Sequence, residues 1–371
     1  MTNAECLLGK TVAQLQTIVT ELGMPRFTAR QISQWLHQKG ATSFDEMTNI
    51  SKRHRQLLTD NYTCGRSTYI DRQESADGTV KYLFPTIDGK AVETVYIPEG
   101  DRATLCVSSQ VGCKMNCMFC HTGKQGFQGN LSVADILNQI YSVEHADRLT
   151  NIVFMGQGEP LDNYDALMAA IGIITGEEGW AWSPRRITVS TVGLRRNLDR
   201  FLRDSECHLA VSLHFPIHEL REQYMPAERQ MPIADVIDTL RRYDWSHQRR
   251  LSMEYTMFDG INDSTLMAKE VVKLLRGLDC RVNLIRYHSV PGVPLADTPL
   301  ERMTAFRDYL TRHGIFTTIR TSRGQDIDAA CGLLNYKSKS LADCLIPSQS
   351  RLRFAEFQVK VDCGLLNFPK Q

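Results

Sequence analysis

From residue 103 to residue 313 the chain alternates short apolar, β-branched runs with helix-length amphipathic stretches, and this alternation constrains the fold more than any other feature. The strand-like runs are 103–107, 152–155, 187–190, 209–213, 252–257 and 282–285. Helical spacing of apolar residues follows them at 133–143, 164–174, 198–203, 234–243, 264–275 and 300–313. Ser132 is placed to cap the first of these helices, with Asp135 in its first turn, and Gly314 is a stop signal after the last. Six strand–helix units imply a parallel α/β sheet joined by right-handed crossovers. Six units suit a partial (βα)6 barrel rather than the eight of a closed one. A flat, doubly wound sheet is the alternative. No GxGxxG fingerprint follows the first strand, which argues against a dinucleotide-binding version of that sheet.

The flanks differ. Leu15, Ile18, Val19 and Leu22 recur at helical spacing, as do Ile32, Trp35 and Leu36, and a third helix is expected near 51–60. Residues 1–65 therefore read as a small helical accessory domain. Residues 66–102 carry short extended runs at 80–84 and 91–97, with turns at Asp77-Gly78 and Asp88-Gly89, as an antiparallel β extension would. The core is expected to span 103–335, and 336–371 lacks periodicity and reads as a tail. Hydrophobic residues make up 42% of the 371 and charged residues 23%, an ordinary globular balance. Lys plus Arg number 43 against 42 Asp plus Glu, which excludes a chain coated in positive charge but leaves room for a local basic face. No apolar run approaches the ~20 residues of a membrane span, and residues 1–10 lack a secretory pattern, so no membrane partner and a cytoplasmic location are expected.

Four of the eleven cysteines fall between Cys106 and Cys120. Cys113, Cys117 and Cys120 form a CxxxCxxC soon after the first strand, a spacing that lets three thiolates converge on one soft metal centre. Zinc sites usually take four closed ligands, which here would require His121 as the fourth. Ferredoxin clusters usually take four cysteines. Three cysteines on a 4Fe-4S cluster leave one iron open. Burial in an apolar core is the plain alternative, but Lys114 and Asn116 interrupt any apolar face.

This motif, with Phe119 before its last cysteine, resembles the radical S-adenosyl-L-methionine (SAM) superfamily. Further strings narrow the likeness: Leu105-Cys-Val-Ser-Ser-Gln-Val-Gly-Cys113, Lys124-Gln-Gly-Phe127, Phe154-Met-Gly-Gln-Gly-Glu-Pro160, Ser212-Leu-His214 and Asp326-Ile-Asp-Ala-Ala-Cys331-Gly332. Together they resemble the RNA adenosine C-methyltransferases of the RlmN group, whose relatives include the Cfr resistance enzymes. The likeness runs from about Leu8 to Asn335. It implies a 4Fe-4S cluster on Cys113, Cys117 and Cys120, with SAM on the open iron. It also implies SAM contacts at Gly158, Glu159, Ser190, Ser212, Leu213, His214 and His288. The family carries Asn where this chain has His288, and commonly Met where it has Gln157.

The same resemblance implies Cys331 as methyl carrier, Cys106 as its resolving partner and Glu93 as proton acceptor facing the target adenine. Carbon 2 of adenine is electron-poor, and the SAM methyl is itself an electrophile. The implied route therefore methylates Cys331 first, removes hydrogen from that methyl with a 5′-deoxyadenosyl radical, adds it to the ring, and releases RNA by disulfide formation with Cys106. The implied substrates are 23S rRNA and tRNA, the implied reductant is a flavodoxin-type electron donor, and the N-terminal helices become an RNA-binding domain.

Each residue also has a plainer reading. Gly156-Gln-Gly158-Glu159-Pro160 could be only a tight turn, and Ser190, Ser212 and His214 only satisfied strand-end residues. Glu93, by alternation with Val92 and Thr94, could face solvent. Cys106 and Cys331 could be buried small hydrophobes. Cys363-Gly-Leu-Leu-Asn367 repeats the Cys331-Gly-Leu-Leu-Asn335 string, but the Asp-Ile-Asp-Ala-Ala lead-in exists only at Cys331. Cys6, Cys64, Cys207, Cys280 and Cys344 carry no motif and read as structural. The pairs Arg185-Arg186, Arg195-Arg196, Arg241-Arg242 and Arg249-Arg250, and Arg320 with Arg323, suit phosphate contact or a solvated face. Trp180, Trp182 and Trp245 lie near them and could stack or pack. Three rival functions remain: a carbon-8 methyltransferase, an iron–sulfur electron-transfer protein, and a zinc-dependent nucleic-acid-binding module.

Overall fold

The structure is a computed structural model that describes residues 4–245 and 249–334. Asn335, the tail and the Cys344 and Cys363 positions lie outside the described residues. The N-terminal unit folds around α1 (Val12–Glu21), α2 (Thr28–His37) and α3 (Lys52–Asn61). Thr11 and Gln14 form a capping box at α1, satisfying backbone donors the helix leaves over. Short parallel strands β1 (Glu5–Cys6) and β2 (Tyr62–Thr63) close the unit. Leu15, Val19, Ile32, Leu36 and Leu58 build a hydrophobic cluster of its own, separate from the main core. Arg66 fastens this unit to the rest: its guanidinium donates to the carbonyls of Gly40 and Tyr141 and, at 3.3 Å, to Ser142 Oγ.

The main sheet begins with β3 (Asp71–Glu74), β4 (Val80–Pro85) and β5 (Ala91–Glu99), all antiparallel neighbours. The β extension is continuous with the core, because β5 pairs antiparallel with β6 (Arg102–Cys106) in the same sheet. A small hairpin, β7 (Gln110–Val111) and β8 (Gly129–Asn130), brackets α4 (His121–Gln125). Beyond it come α5 (Val133–Tyr141), β9 (Asn151–Phe154), α6 (Tyr164–Thr175), β10 (Ile187–Thr191), α7 (Arg195–Asp204) and β11 (His208–Ser212). The series ends with α8 (His218–Tyr224), α9 (Ile233–Leu240), β12 (Leu251–Met257), α10 (Thr265–Leu275), β13 (Arg281–Arg286), α11 (Leu300–Arg312) and β14 (Phe316–Ile319). From β6 through β14 the parallel strands neighbour one another strictly in chain order. That order decides between the two sheet forms. A doubly wound sheet reverses direction once, whereas here every right-handed crossover advances the same way and lays its helix on the same face. The result is an open barrel-like sheet with the C-terminal strand ends on one rim.

The parallel set has seven strands, not six: β14 was not expected because its Phe-Thr-Thr-Ile run has no apolar alternation, and Phe316 is exposed on an edge strand. Helix α7 starts at Arg195 rather than 198, so its arginine pair opens the helix. The Ser132–Asp135 capping box at α5 is as expected. Among the described residues no helix is long and apolar enough to cross a membrane.

Candidate active site

The cysteine motif occupies the loop between β7 and α4. The chain turns at Gly112, with φ +71°, where a β-carbon would stand 1.7 Å from the Gly126 carbonyl oxygen, so no other residue fits. Cys120 then caps α4. All three thiols line one cavity of about 170 Å³ at the C-terminal rim of the sheet. Burial raises each thiol's pKa, that of Cys113 to about 12. The Met115 N–H donates to Cys113 Sγ at 3.5 Å, and the Arg221 charge pulls the Cys117 value back down. Backbone donors at the sulfurs and a nearby cation favour loss of the thiol protons to a bound metal group. His121 does not line this cavity. Among the described residues no three His, Cys, Asp or Glu side chains close around a point as one ion requires.

The opposite wall comes from strand ends. Gly158, with φ +95°, packs where a β-carbon would sit 2.5 Å from Gln110 Cβ, bringing the loop after β9 against the cysteine segment. Glu159 is buried in that wall. Its carboxylate accepts from the N–H groups of Leu161 (3.1 Å) and Val192 (2.9 Å), yet burial outweighs these bonds and pushes its pKa up to about 7. A cationic ammonium placed there would reverse that shift. Ser190, Ser212, His214 and His288 line the same cavity. His214 is in the left-handed region at φ +50°, and its Nδ1 accepts from the Thr256 N–H at 2.9 Å, so Nε2 carries the proton of the neutral ring. Burial, then the Arg221 charge, lowers its pKa to about 3. The His288 Nε2 is 3.0 Å from Ser322 Oγ. Leu213 departs from expectation: it is fully buried and does not line the cavity, because alternation between Ser212 and His214 turns it into the core.

A second cavity of about 590 Å³ shares Cys120, Met155, His288 and Cys331 with the first and adds Cys106. Cys331 is open to this cavity, though enough protein surrounds it that burial still raises its thiol pKa. Cys106 is buried and pushed up to about 12, by burial first and by neighbouring Cys331 second. Both are free thiols. The Cys331 loop is clipped from two sides. Asp326 accepts from Ser75 Oγ (2.6 Å) and the Ala76 N–H (3.2 Å), and Asp77 accepts from the Gly324 N–H (3.0 Å). From the other side the His121 N–H donates to the Gly332 carbonyl at 2.8 Å. Glu93 does not reach the lining of either cavity. It is buried rather than solvent-facing, pairs with Lys81 at 3.2 Å, and shares the β5 face of Val95 and Ile97.

Residues 6–63 match the model of the ribosomal RNA large subunit methyltransferase N-terminal domain, and residues 107–270 match that of the radical SAM superfamily. A probable dual-specificity RNA methyltransferase RlmN of Bacteroides fragilis is 59% identical over 329 residues, covering 89% of this chain and 96% of that protein. The chain belongs to the RlmN family of radical SAM RNA methyltransferases. Its likeness to the dual-specificity RNA methyltransferase RlmN of Halorhodospira halophila is 44% over 333 residues, covering 88% of this chain and 92% of that protein. The crystal structure of a radical SAM methyltransferase from Sphaerobacter thermophilus superposes with a TM-score of 0.85 at 42% identity, covering 89% of this chain and 99% of that one.

This RlmN-family chain also contains one site residue, Arg221, that its motifs did not reveal, and others whose part the structure makes clear. Arg221 on α8 is fully buried, pairs with Glu228, and donates to the carbonyls of Ser212 (2.9 Å), Leu213 (3.1 Å) and Val192 (3.3 Å), tying the ends of β10 and β11 together. No apolar stripe or motif marks α8 in the sequence. Gln157 accepts from the Glu93 N–H at 3.1 Å and donates to Gln125 at 3.1 Å, joining β5 to α4. Arg320, read as one of a basic pair for RNA, lies 3.6 Å from Glu254 and lines the cavity of Cys106 and Cys331. Arg185, Arg249 and Arg250 gather with Arg281 around a separate cavity of about 490 Å³. Trp245 packs into the core.

Proposed function

We propose that this enzyme methylates carbon 2 of a specific adenosine in 23S rRNA and in tRNA through a methyl-cysteine on Cys331, in the cytoplasm. The observation that carries the reading is the union of two unlike cysteine sets in connected cavities: Cys113, Cys117 and Cys120 in one, Cys106 and Cys331 in the other. The first set would hold a 4Fe-4S cluster, which together with SAM would supply a hydrogen-abstracting 5′-deoxyadenosyl radical, the electron coming from a flavodoxin-type donor.

The remaining roles belong to side chains. Glu159, with Gly158 exposing its backbone, accepts from the SAM ammonium. Ser190, Ser212, His214 and His288 hydrogen-bond the rest of SAM, His288 standing in for the family Asn. Leu213 contributes through its backbone alone. The thiolate of Cys331 takes a methyl group by displacement, and the Arg320 charge beside it favours that thiolate. Cys106 attacks the Cys331 sulfur to free the RNA, leaving a disulfide. Glu93, on the β5 face that also borders Cys106, is the acceptor for the adenine-ring proton once its side chain swings from Lys81 toward the cavity of Cys106 and Cys331. Residues 1–65 bind RNA, 66–102 extend the sheet, 103–335 form the catalytic core and 336–371 are a tail. Mass mapping of methyladenosine in rRNA and tRNA treated with the enzyme tests the reading. Methylation at carbon 2 in both supports it, and methylation at carbon 8 overturns the carbon assignment.

A further inference from the structure

A cavity of about 720 Å³ lies at the seam between the N-terminal helical unit and the core, away from both cysteine cavities, and no step above uses it. Its core side is formed at the end of α5 and on the connection from α6 to β10, that is, on the rim opposite the cysteines. The lining is aromatic and basic at once. Ring centroids run in a chain: His37 to Tyr141 at 6.0 Å, Tyr141 to Trp180 at 5.1 Å, and Trp180 to Trp182 at 5.1 Å. The Arg186 guanidinium sits 4.6 Å over Trp182. Ala181, between the two tryptophans, is held in the left-handed region at φ +49°, a conformation that costs energy for alanine and here keeps the two indoles side by side.

Two polar side chains are buried in this lining, His37 at 2% exposure and Tyr141 at 5%. The Lys10 carbonyl lies beside the His37 ring, but burial outweighs it and pushes the His37 pKa down to about 4, so the ring is neutral. The Tyr141 hydroxyl, with no hydrogen bond among the described residues, is closed off from the cavity, so both residues form its floor. Stacking faces beside basic side chains match the base and phosphate of an unpaired nucleotide. Arg186 and Arg148, both exposed at the mouth, suit its phosphate, with Asp147 the one acidic side chain in the lining.

We propose that this seam takes one unpaired nucleotide of the RNA substrate, with its base stacked on Trp180 and Trp182 and its phosphate at Arg186 and Arg148. The inference rests on RNA being the substrate and not on which carbon is methylated. The nucleotide held here is an anchor distant from the reacting one, so binding alone reads it, and a failed methylation assay bears on the cysteines instead. A free nucleotide shares this chemistry and forms the second arm of the test. Indole fluorescence of the full chain is titrated with a short single-stranded RNA, with duplex RNA of equal length, and with AMP. Single-stranded RNA quenches saturably and more tightly than duplex. Trp182→Ala weakens that binding about 5- to 100-fold, the loss expected for one stacked base, while Trp182→Phe retains most of it. Arg186→Ala, at an exposed position, lowers the salt dependence of binding without shifting the melting temperature, and so carries the test should Trp182→Ala fail to fold. Single-stranded RNA affinity unchanged in a folded Trp182→Ala or in Arg186→Ala overturns the site. Saturable AMP binding that Trp182→Ala abolishes, with RNA affinity untouched, overturns the RNA assignment in favour of a free nucleotide.

Discussion

Replacing Arg221 by Met tests whether the site's rim depends on one buried ion pair. Methionine nearly matches the side chain's length but brings no charge and no donors. Its removal leaves Glu228, fully buried, with only the Ile233 N–H at 3.0 Å and His218 Nδ1 at 2.8 Å, and leaves three strand-end carbonyls without the donor they now share. Breaking a buried pair by deleting one partner costs about 3–5 kcal/mol, because the surviving charge stays desolvated. A domain of this barrel's size loses about 2–4 °C per kcal/mol, so the melting temperature should fall by roughly 6–20 °C. The double variant Arg221→Met with Glu228→Leu should recover more than half of that loss, since no buried charge remains. SAM affinity, read by equilibrium dialysis, should fall as well, because the β10 and β11 ends carrying Ser190, Ser212 and His214 lose their tie. The assay is a thermal melt of cluster-free protein. A single variant melting within about 2 °C of the parent, or a double variant whose loss equals the sum of the singles, would refute the reasoning.

Two further outcomes are expected. Cys331→Ala should abolish methyl transfer, whereas Cys106→Ala should stall later and purify with covalently attached RNA that nuclease removes and thiol reductant does not; release of methylated product at the parental rate would show Cys106 to be only a core residue. His37 and His214, with pKa values lowered by burial to about 4 and about 3, are protonated in the unfolded chain below pH 6.5 but not in the fold. The unfolded state then binds more protons, so stability is full above pH 6.5 and is lost as pH falls through 6.5 toward 4, at roughly 3 kcal/mol per pH unit for the pair. In denaturant titrations His37→Gln should reduce that slope by about 1.4 kcal/mol per pH unit, and parallel slopes would refute a neutral buried His37.

Local order was legible in the sequence wherever its cause is local. The CxxxCxxC spacing, the Ser132 capping box and the alternation of strand and helix depend on residues a few positions apart, and the structure keeps them. Apolar periodicity failed where burial is slight: β14 is an exposed edge strand, and α8 has too few apolar residues to show a stripe. Glu93 could not be placed by alternation, because both faces of β5 are covered and the polar–apolar contrast that marks a surface strand is lost. Strand order, which chose the barrel-like sheet over a flat one, is a property of how successive crossovers pack and leaves no periodic trace. The same is true of the meeting of Cys106 with Cys331, of Arg221 with the ends of two strands, and of His37 with the tryptophans at the seam. Each joins groups far apart in the chain, and such contacts exist only once the sheet, its helices and the N-terminal unit have buried their apolar faces together.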